Sequence, residues 1–255
     1  MDGNGTNRLS AYRHKLVIAY DGSAYGGWQI QPNSRTVQGE LESVFRTLTN
    51  VEVKVHGSGR TDQGVHALGQ VAHCDLPTAW TGDRLLNALN ASLPRDIRIL
   101  KATRAAETFH ARRSAVRKEY RYCIWNAPVL LPHLRQYRAH IREPLNLGAM
   151  CAAAACLAGV HDFAAFTANP NREVDSTTRN LMKLTVTQKG HDWVIAAMSE
   201  GFLYKMVRSL AGFLIRVGSG AVPPQEAARI LQSKERTARV PTAPPEGLFL
   251  WRVWY

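Results

Sequence analysis

The sequence holds no uninterrupted apolar run of the roughly 18 residues that a membrane-spanning helix needs, and residues 1–15 contain no apolar core of a secretion signal. A cytoplasmic protein is expected. Cysteine is scarce: Cys74, Cys123, Cys151 and Cys156 form no C-x-x-C pair, and their apolar or alanine-rich surroundings read as reduced core thiols. That excludes a disulfide framework. His66, His73 and the adjacent Cys74 have no second cluster at zinc spacing, so no metal is expected. The glycine-rich residues 57–64 lack the Lys-Ser/Thr ending of a phosphate-binding loop, and Ser58 lacks the G-x-S-x-G setting of a serine nucleophile. Acid is also short, with 20 Asp plus Glu against 32 Lys plus Arg and a net charge of +12. A basic excess of this size, with a pI near 9.9, favours a polyanionic partner, RNA or DNA first.

What is present centres on Gly57-Ser58-Gly59-Arg60-Thr61-Asp62-Gln63-Gly64-Val65-His66-Ala67. Before it, Val51, Val53 and Val55 alternate with Glu52 and Lys54, which predicts a half-buried strand running straight into the loop. Three glycines permit unusual backbone conformations and close approach of a ligand, and catalytic groups tend to sit on loops fixed to rigid strands. The simpler reading is a polar turn that Asp62 caps locally.

A chain of 255 residues suits one large domain or two of ordinary size. Residues 1–13, rich in glycine and asparagine, read as a disordered lead-in. Residues 15–20 predict a buried strand, Val37, Leu41, Val44, Phe45 and Leu48 an amphipathic helix, and residues 70–75 a strand that hairpins against 51–55. A helix carried by Leu85, Leu86, Leu89 and Leu93 and a strand at 96–100 complete a β-α-β-β-α-β outline for a first half, 14–108. Residues 109–125 crowd Arg112, Arg113, Arg117, Lys118 and Arg121 beside Tyr120 and Tyr122 and lead into a second half, 109–255. There an alanine-rich helix is expected at 150–160, strands at 183–187 and 193–198, helices at 202–217 and 225–232, a basic loop at 233–245 and a closing strand from Leu248. The order suggests two α+β units of ferredoxin-like outline whose sheets meet, with a single irregular α+β domain as the alternative.

The chemistry left open is that of a carboxylate in basic, aromatic surroundings. An Asp beside an Arg is held ionised and can act as nucleophile or base. Attack on a sugar or base needs no cofactor once the target nucleotide leaves its stack, and an aromatic face such as Tyr120 could support the displaced base. A core tyrosine with a bonded hydroxyl is the plainer reading of Tyr120.

Arg60-Thr61-Asp62 followed by Gly64-Val65-His66-Ala67 closely resembles the catalytic loop of the TruA family of tRNA pseudouridine synthases. The likeness extends along the chain. Tyr20-Asp21-Gly22, Gly27-Trp28-Gln29, Thr36-Val37-Gln38 and Leu41-Glu42 resemble the family's opening segment, and Phe109-His110-Ala111-Arg112, Ser114-Ala115, Arg117 and Tyr120-Arg121-Tyr122 its middle one. His161-Asp162-Phe163, Phe202-Leu203-Tyr204, Met206-Val207-Arg208, Gly212, Ala243-Pro244-Pro245, Gly247-Leu248 and Tyr255 continue it to the end. Departures are Arg113 where the family usually has phenylalanine, and Ser58 and Gln63 where small alanines are common.

The resemblance implies an isomerase that converts uridine to pseudouridine at positions 38, 39 and 40 of the tRNA anticodon arm without a cofactor. It implies the pseudouridine synthase fold: two ferredoxin-like or RRM-like α+β halves joined through a continuous, mostly antiparallel sheet with a central active-site cleft, usually as a homodimer. Residue by residue it makes Asp62 the essential aspartate, Arg60 its companion, Arg208 the basic residue that pairs with it, and Tyr120 the ring that stacks on the target base. Arg112, Arg117 and Arg121 are expected to bind substrate. Asp62 could attack the base, attack the sugar carbon or remove a sugar proton. The alternative function is a tRNA-binding module that uses the same basic cleft without reaction.

Overall fold

The computed structural model describes residues 12–168 and 175–255. The first strand, β1 (Tyr12–Tyr20), begins earlier than the sequence suggests, and the rest of the expected lead-in lies outside the described residues. Leu16, Ile18 and Tyr20 alternate inward along it. Helix α1 (Val37–Thr49) starts at Thr36, whose hydroxyl accepts from the Gly39 amide, and ends at Asn50 in a left-handed conformation; Val37, Leu41 and Phe45 form its buried stripe.

Residues 51–55 do not form the expected strand. Val53 and Val55 are buried and Val51 is exposed, so the alternation is real, but it records packing and not pairing. Glu42 of α1 takes the Val55 amide at 3.0 Å, which leaves only β2 (His56–Gly57) to pair with β3 (His66–Leu76). Helix α2 (Gly82–Ser92) and strand β4 (Ile97–Arg104) follow.

The second run comprises β5 (Arg117–Asn126), β6 (Ala139–Ile141), α3 (Leu147–Leu157), β7 (Gly159–Asp162), β8 (Thr178–Lys189), β9 (Asp192–Ser199), α4 (Met206–Gly218), α5 (Glu226–Ser233) and β10 (Leu248–Trp254). Strands β6 and β7 are too short for a sequence pattern to reveal. Helix α4 starts four residues later than expected because Lys205 sits at φ 55°, outside helical space, which frees residues 202–205 to line a cleft.

The strands form one sheet ordered β4-β1-β3-β10-β5-β9-β8-β7, with β2 on β3 and β6 on β5. Pairing is antiparallel except between β10 and β3 and between β5 and β6. The last strand is therefore the seam: Phe249 and Leu250 pair with His66 and Ala67 on one side, and Leu250 with Tyr120 on the other. This is an α+β fold built on a single, mostly antiparallel sheet. Among the described residues no helix is long and apolar enough to cross a membrane.

Candidate active site

The loop between β2 and β3 lies beside this seam, and its base is fixed by hydrogen bonds. Buried Ser58 donates its amide to Val71 O at 2.7 Å and its hydroxyl to Gln70 Oε1 at 2.7 Å, while Gln70 Nε2 returns to Gly59 O at 2.9 Å. Ser58, a departure from the family pattern, is thus a latch. Further along, Thr61 Oγ1 meets the Tyr20 hydroxyl at 2.9 Å, and Trp28 N donates to Thr61 O at 3.1 Å. Burial pushes the Tyr20 hydroxyl up to about 12, so it stays protonated as a donor. Two glycines are needed for shape: a Cβ on Gly57 would stand 2.6 Å from the Trp28 indole, and Gly64 has φ +76° with Pro245 packed against it.

This frame projects Asp62 into the cleft with its side chain 24% exposed. Arg208 Nη1, on α4, lies 3.0 Å from Asp62 Oδ2. The arginine is itself held, since its Nε donates to Ala243 O at 2.7 Å and its backbone carbonyl accepts from Ala243 N at 3.0 Å. Arg60, the sequence neighbour, makes no ion pair with Asp62: it is exposed on the cleft wall and its Nε reaches Gln29 Oε1 at 3.2 Å. The cation that pairs with the carboxylate therefore comes from the far end of the chain.

Tyr120 lies on β5 beside the seam, 9% exposed, with its ring edge-on to Phe202 at 5.2 Å between centroids. Burial raises its hydroxyl pKa, with nearby Tyr20 and the Asp62 carboxylate adding to the effect, so the ring is an uncharged surface in the cleft. Arg112 and Arg113 also line the cleft. Arg117 and Arg121 do not. Successive side chains on a strand point to opposite faces, so residues one and three places from Tyr120 turn away from it. Arg121 is bonded to Glu119 at 2.7 Å and stacks on Trp251 at 3.9 Å, and Arg117 stacks on Trp254 at 5.0 Å. The even-numbered neighbour, Lys118, which the sequence offers only as one member of the basic crowd at 109–125, is the basic residue of β5 that enters the cleft.

The cleft has a volume of about 2250 Å³ and is lined by Arg60, Arg112, Arg113, Lys118, Arg135, Arg179, Lys205 and Arg208 against Asp62, Asp175, Glu200 and Glu246. Its surface is basic and can hold a polyanion far larger than a metabolite. At its margin the rings of His56 and His73 stack at 5.0 Å, and His110 lies 4.7 Å from His73. These imidazoles have structural partners: His73 Nδ1 accepts from Ala111 N at 3.2 Å and His110 Nδ1 from Arg112 N at 3.1 Å. His66 faces elsewhere, against Gly22 and Phe249. Among the described residues no group of three or more His, Cys, Asp or Glu is arranged to hold a metal ion.

A family model described as tRNA pseudouridine synthase matches residues 16–112 and 153–255. Asp62 and Arg208 fall inside these segments and Tyr120 between them. Curated relatives named tRNA pseudouridine synthase A run along nearly the whole chain. One from Exiguobacterium sp. is 42% identical over 243 residues, covering 95% of this chain and 98% of the relative. One from Chlamydia trachomatis serovar A is 43% identical, covering 94% and 91%, and one from Thermoanaerobacter sp. is 44% identical, covering 94% and 98%. Likeness of this extent, running through the loop that carries Asp62 and the helix that carries Arg208, means that the chain belongs to the tRNA pseudouridine synthase family.

Proposed function

We propose that this isomerase converts uridine to pseudouridine at positions 38, 39 and 40 of the tRNA anticodon arm, with Asp62 as the catalytic group. The observation that carries the reading is the Asp62 carboxylate held by Arg208 at 3.0 Å in a basic cleft. The reaction breaks the bond from the ribose C1′ to N1 of uracil and forms one to C5; C5 gives up a proton and N1 gains one. Nothing is oxidised or reduced, so the chemistry needs a carboxylate and a binding site and no cofactor.

Each residue then has a part. Arg208 pairs with the Asp62 carboxylate and aims it, which serves attack on the base, attack on the sugar carbon and removal of a sugar proton alike. Tyr120 carries the displaced base on its ring. Arg60, exposed on the same loop, helps displace the target nucleotide, and Arg112 holds phosphate, with Arg113 adding a contact where the family usually has phenylalanine. The enzyme works as a cytoplasmic homodimer, a reading supported by the family resemblance alone. Its halves are residues 14–108 and 109–255.

The test is incubation with tRNA carrying uridines at the three positions, followed by mapping of pseudouridine. Parent protein is expected to form it and Asp62→Asn to form none, with tRNA affinity changed less than about tenfold, or ~1.4 kcal/mol. Binding by the parent without any product would leave a tRNA-binding module. Turnover by Asp62→Asn near the parent rate would remove Asp62 from the chemistry.

A further inference from the structure

Lys118 stands two residues before Tyr120 on β5 and therefore on the same face, roughly 6.6 Å away along the strand. Its ammonium donates to Ser58 O at 2.5 Å, at the base of the loop that carries Asp62. A lysine has three N–H donors, and this bond uses one. Among the described residues no carboxylate is in ion-pair range of Lys118; the charged group that acts on it is another cation, Arg112. Its cross-strand neighbours, Ser199 on β9 and Val253 on β10, bring no charge. A half-buried ammonium with spare donors and only a like charge beside it is costly until an anion arrives. The fold thus brings two cations to the wall of the cleft that Tyr120 also lines, with Lys118 two strand positions from it.

We propose that Lys118, with Arg112, forms a phosphate-binding subsite that takes the RNA backbone next to the nucleotide resting on Tyr120. This rests on the functional reading above and deepens it. Binding there bonds the phosphate and the Ser58 carbonyl to one ammonium, so that the RNA backbone and the Asp62 loop share an anchor. Burial and the Arg112 charge hold the free ammonium down at about 8, and a phosphate beside it favours the charged form. Association above that pH therefore draws a proton from solution.

The experiment uses the full chain and a tRNA transcript with cytidine at positions 38, 39 and 40, so that binding is read without turnover. Lys118→Met is expected to reduce the slope of log affinity against log salt by about 0.7 to 0.9, one phosphate's worth, while Lys118→Arg keeps the parent slope. Calorimetry at pH 8.5 in buffers of different ionisation enthalpy is expected to show proton uptake by the parent and none by Lys118→Arg, whose charge does not titrate there. A merely structural tie to Ser58 would leave both the slope and the proton count unmoved, and that result overturns the subsite. If Lys118→Met does not fold, the proton count of Lys118→Arg against the parent decides alone. A parent that does not bind the transcript defeats the functional reading itself, whereas a parent that binds with slope and proton count unchanged in the variants defeats only the subsite.

Discussion

Arg208 and Asp62 are 146 residues apart in the chain, yet Arg208 Nη1 lies 3.0 Å from Asp62 Oδ2. The pair joins a helix of the second run of elements to the loop of the first. With side chains only 12% and 24% exposed, neither group is free to rely on water. Arg208→Ala is therefore expected to abolish turnover and to cost on the order of 1–3 kcal/mol of stability, the penalty of leaving a partly buried charge without its partner. Arg208→Lys tests the geometry separately. A lysine carries its three donors on one nitrogen and cannot reproduce the planar fork by which the guanidinium reaches Ala243 O through Nε and Asp62 through Nη1. It should recover part of the stability and little of the rate. Denaturant unfolding and single-turnover assays on both variants read this, and an Arg208→Ala protein that melts like the parent would contradict it.

Tyr120 separates stacking from hydroxyl chemistry. Tyr120→Phe keeps the ring that meets Phe202 edge-on and is expected to bind tRNA as the parent does. Tyr120→Ala should lose ~1 to 3 kcal/mol of base stacking. Equal affinities for the two variants in a filter-binding titration would mean that no base rests on the ring.

Most elements were legible because their signals are local: α1 has its stripe of Val37, Leu41 and Phe45 and its Thr36 cap, and β9 its apolar run. What failed depended on distant partners. The valines of residues 51–55 alternate as a strand would, but Glu42 occupies the amide that a ladder needs. No local feature announces that β10 inserts between β3 and β5, although that insertion creates the seam beside the site. Motif resemblance singles out Asp62, Arg208 and Tyr120, which line one cleft, since the pairing of Asp62 with Arg208 spans two elements that sequence spacing cannot relate. Arg117 and Arg121 were misplaced by counting charge along residues 112–121 without applying the two-residue period of a strand. Applied from Tyr120, that period selects Lys118.

The lining of the cleft, together with the alternation along β5, predicts which cations the RNA feels. Arg112→Ala should lower the salt slope of tRNA binding by about one, whereas Arg117→Ala and Arg121→Ala, on the other face of β5, should leave it unchanged. The basic loop at 233–239 belongs with the second group. Lys234 pairs with Asp162 at 3.2 Å, Arg236 is bonded to Ser209 and Thr242, and Arg239 pairs with Glu226. Affinity measured across a salt series for each variant decides the matter, and a reduced slope for Arg121→Ala would place RNA on the opposite face of the sheet.

His73 should make the fold acid-sensitive. It is 3% exposed, and burial, followed by the charges of His110, His56 and Arg13, lowers its pKa to about 4, with Asp75 opposing. Its Nδ1 accepts the Ala111 amide at 3.2 Å, a bond that protonation of that nitrogen would destroy. Because the folded value lies below the ordinary 6.5, the unfolded chain takes up the proton first as the pH falls. The stabilisation is therefore complete above about pH 6.5, declines between about 6.5 and 4, and is flat below that as far as this residue is concerned. At 1.36 kcal/mol per pKa unit the loss is on the order of 3 kcal/mol. His73→Asn, whose amide oxygen can still accept from Ala111, should be less stable than the parent at pH 7.5 but lose less stability between pH 6.5 and 4. His66 and His110 shift in the same direction and are present in both proteins, so the difference between the two stability curves isolates His73. Urea unfolding at pH 7.5, 6, 5 and 4 gives those curves, and parallel curves would show that His73 does not titrate with folding.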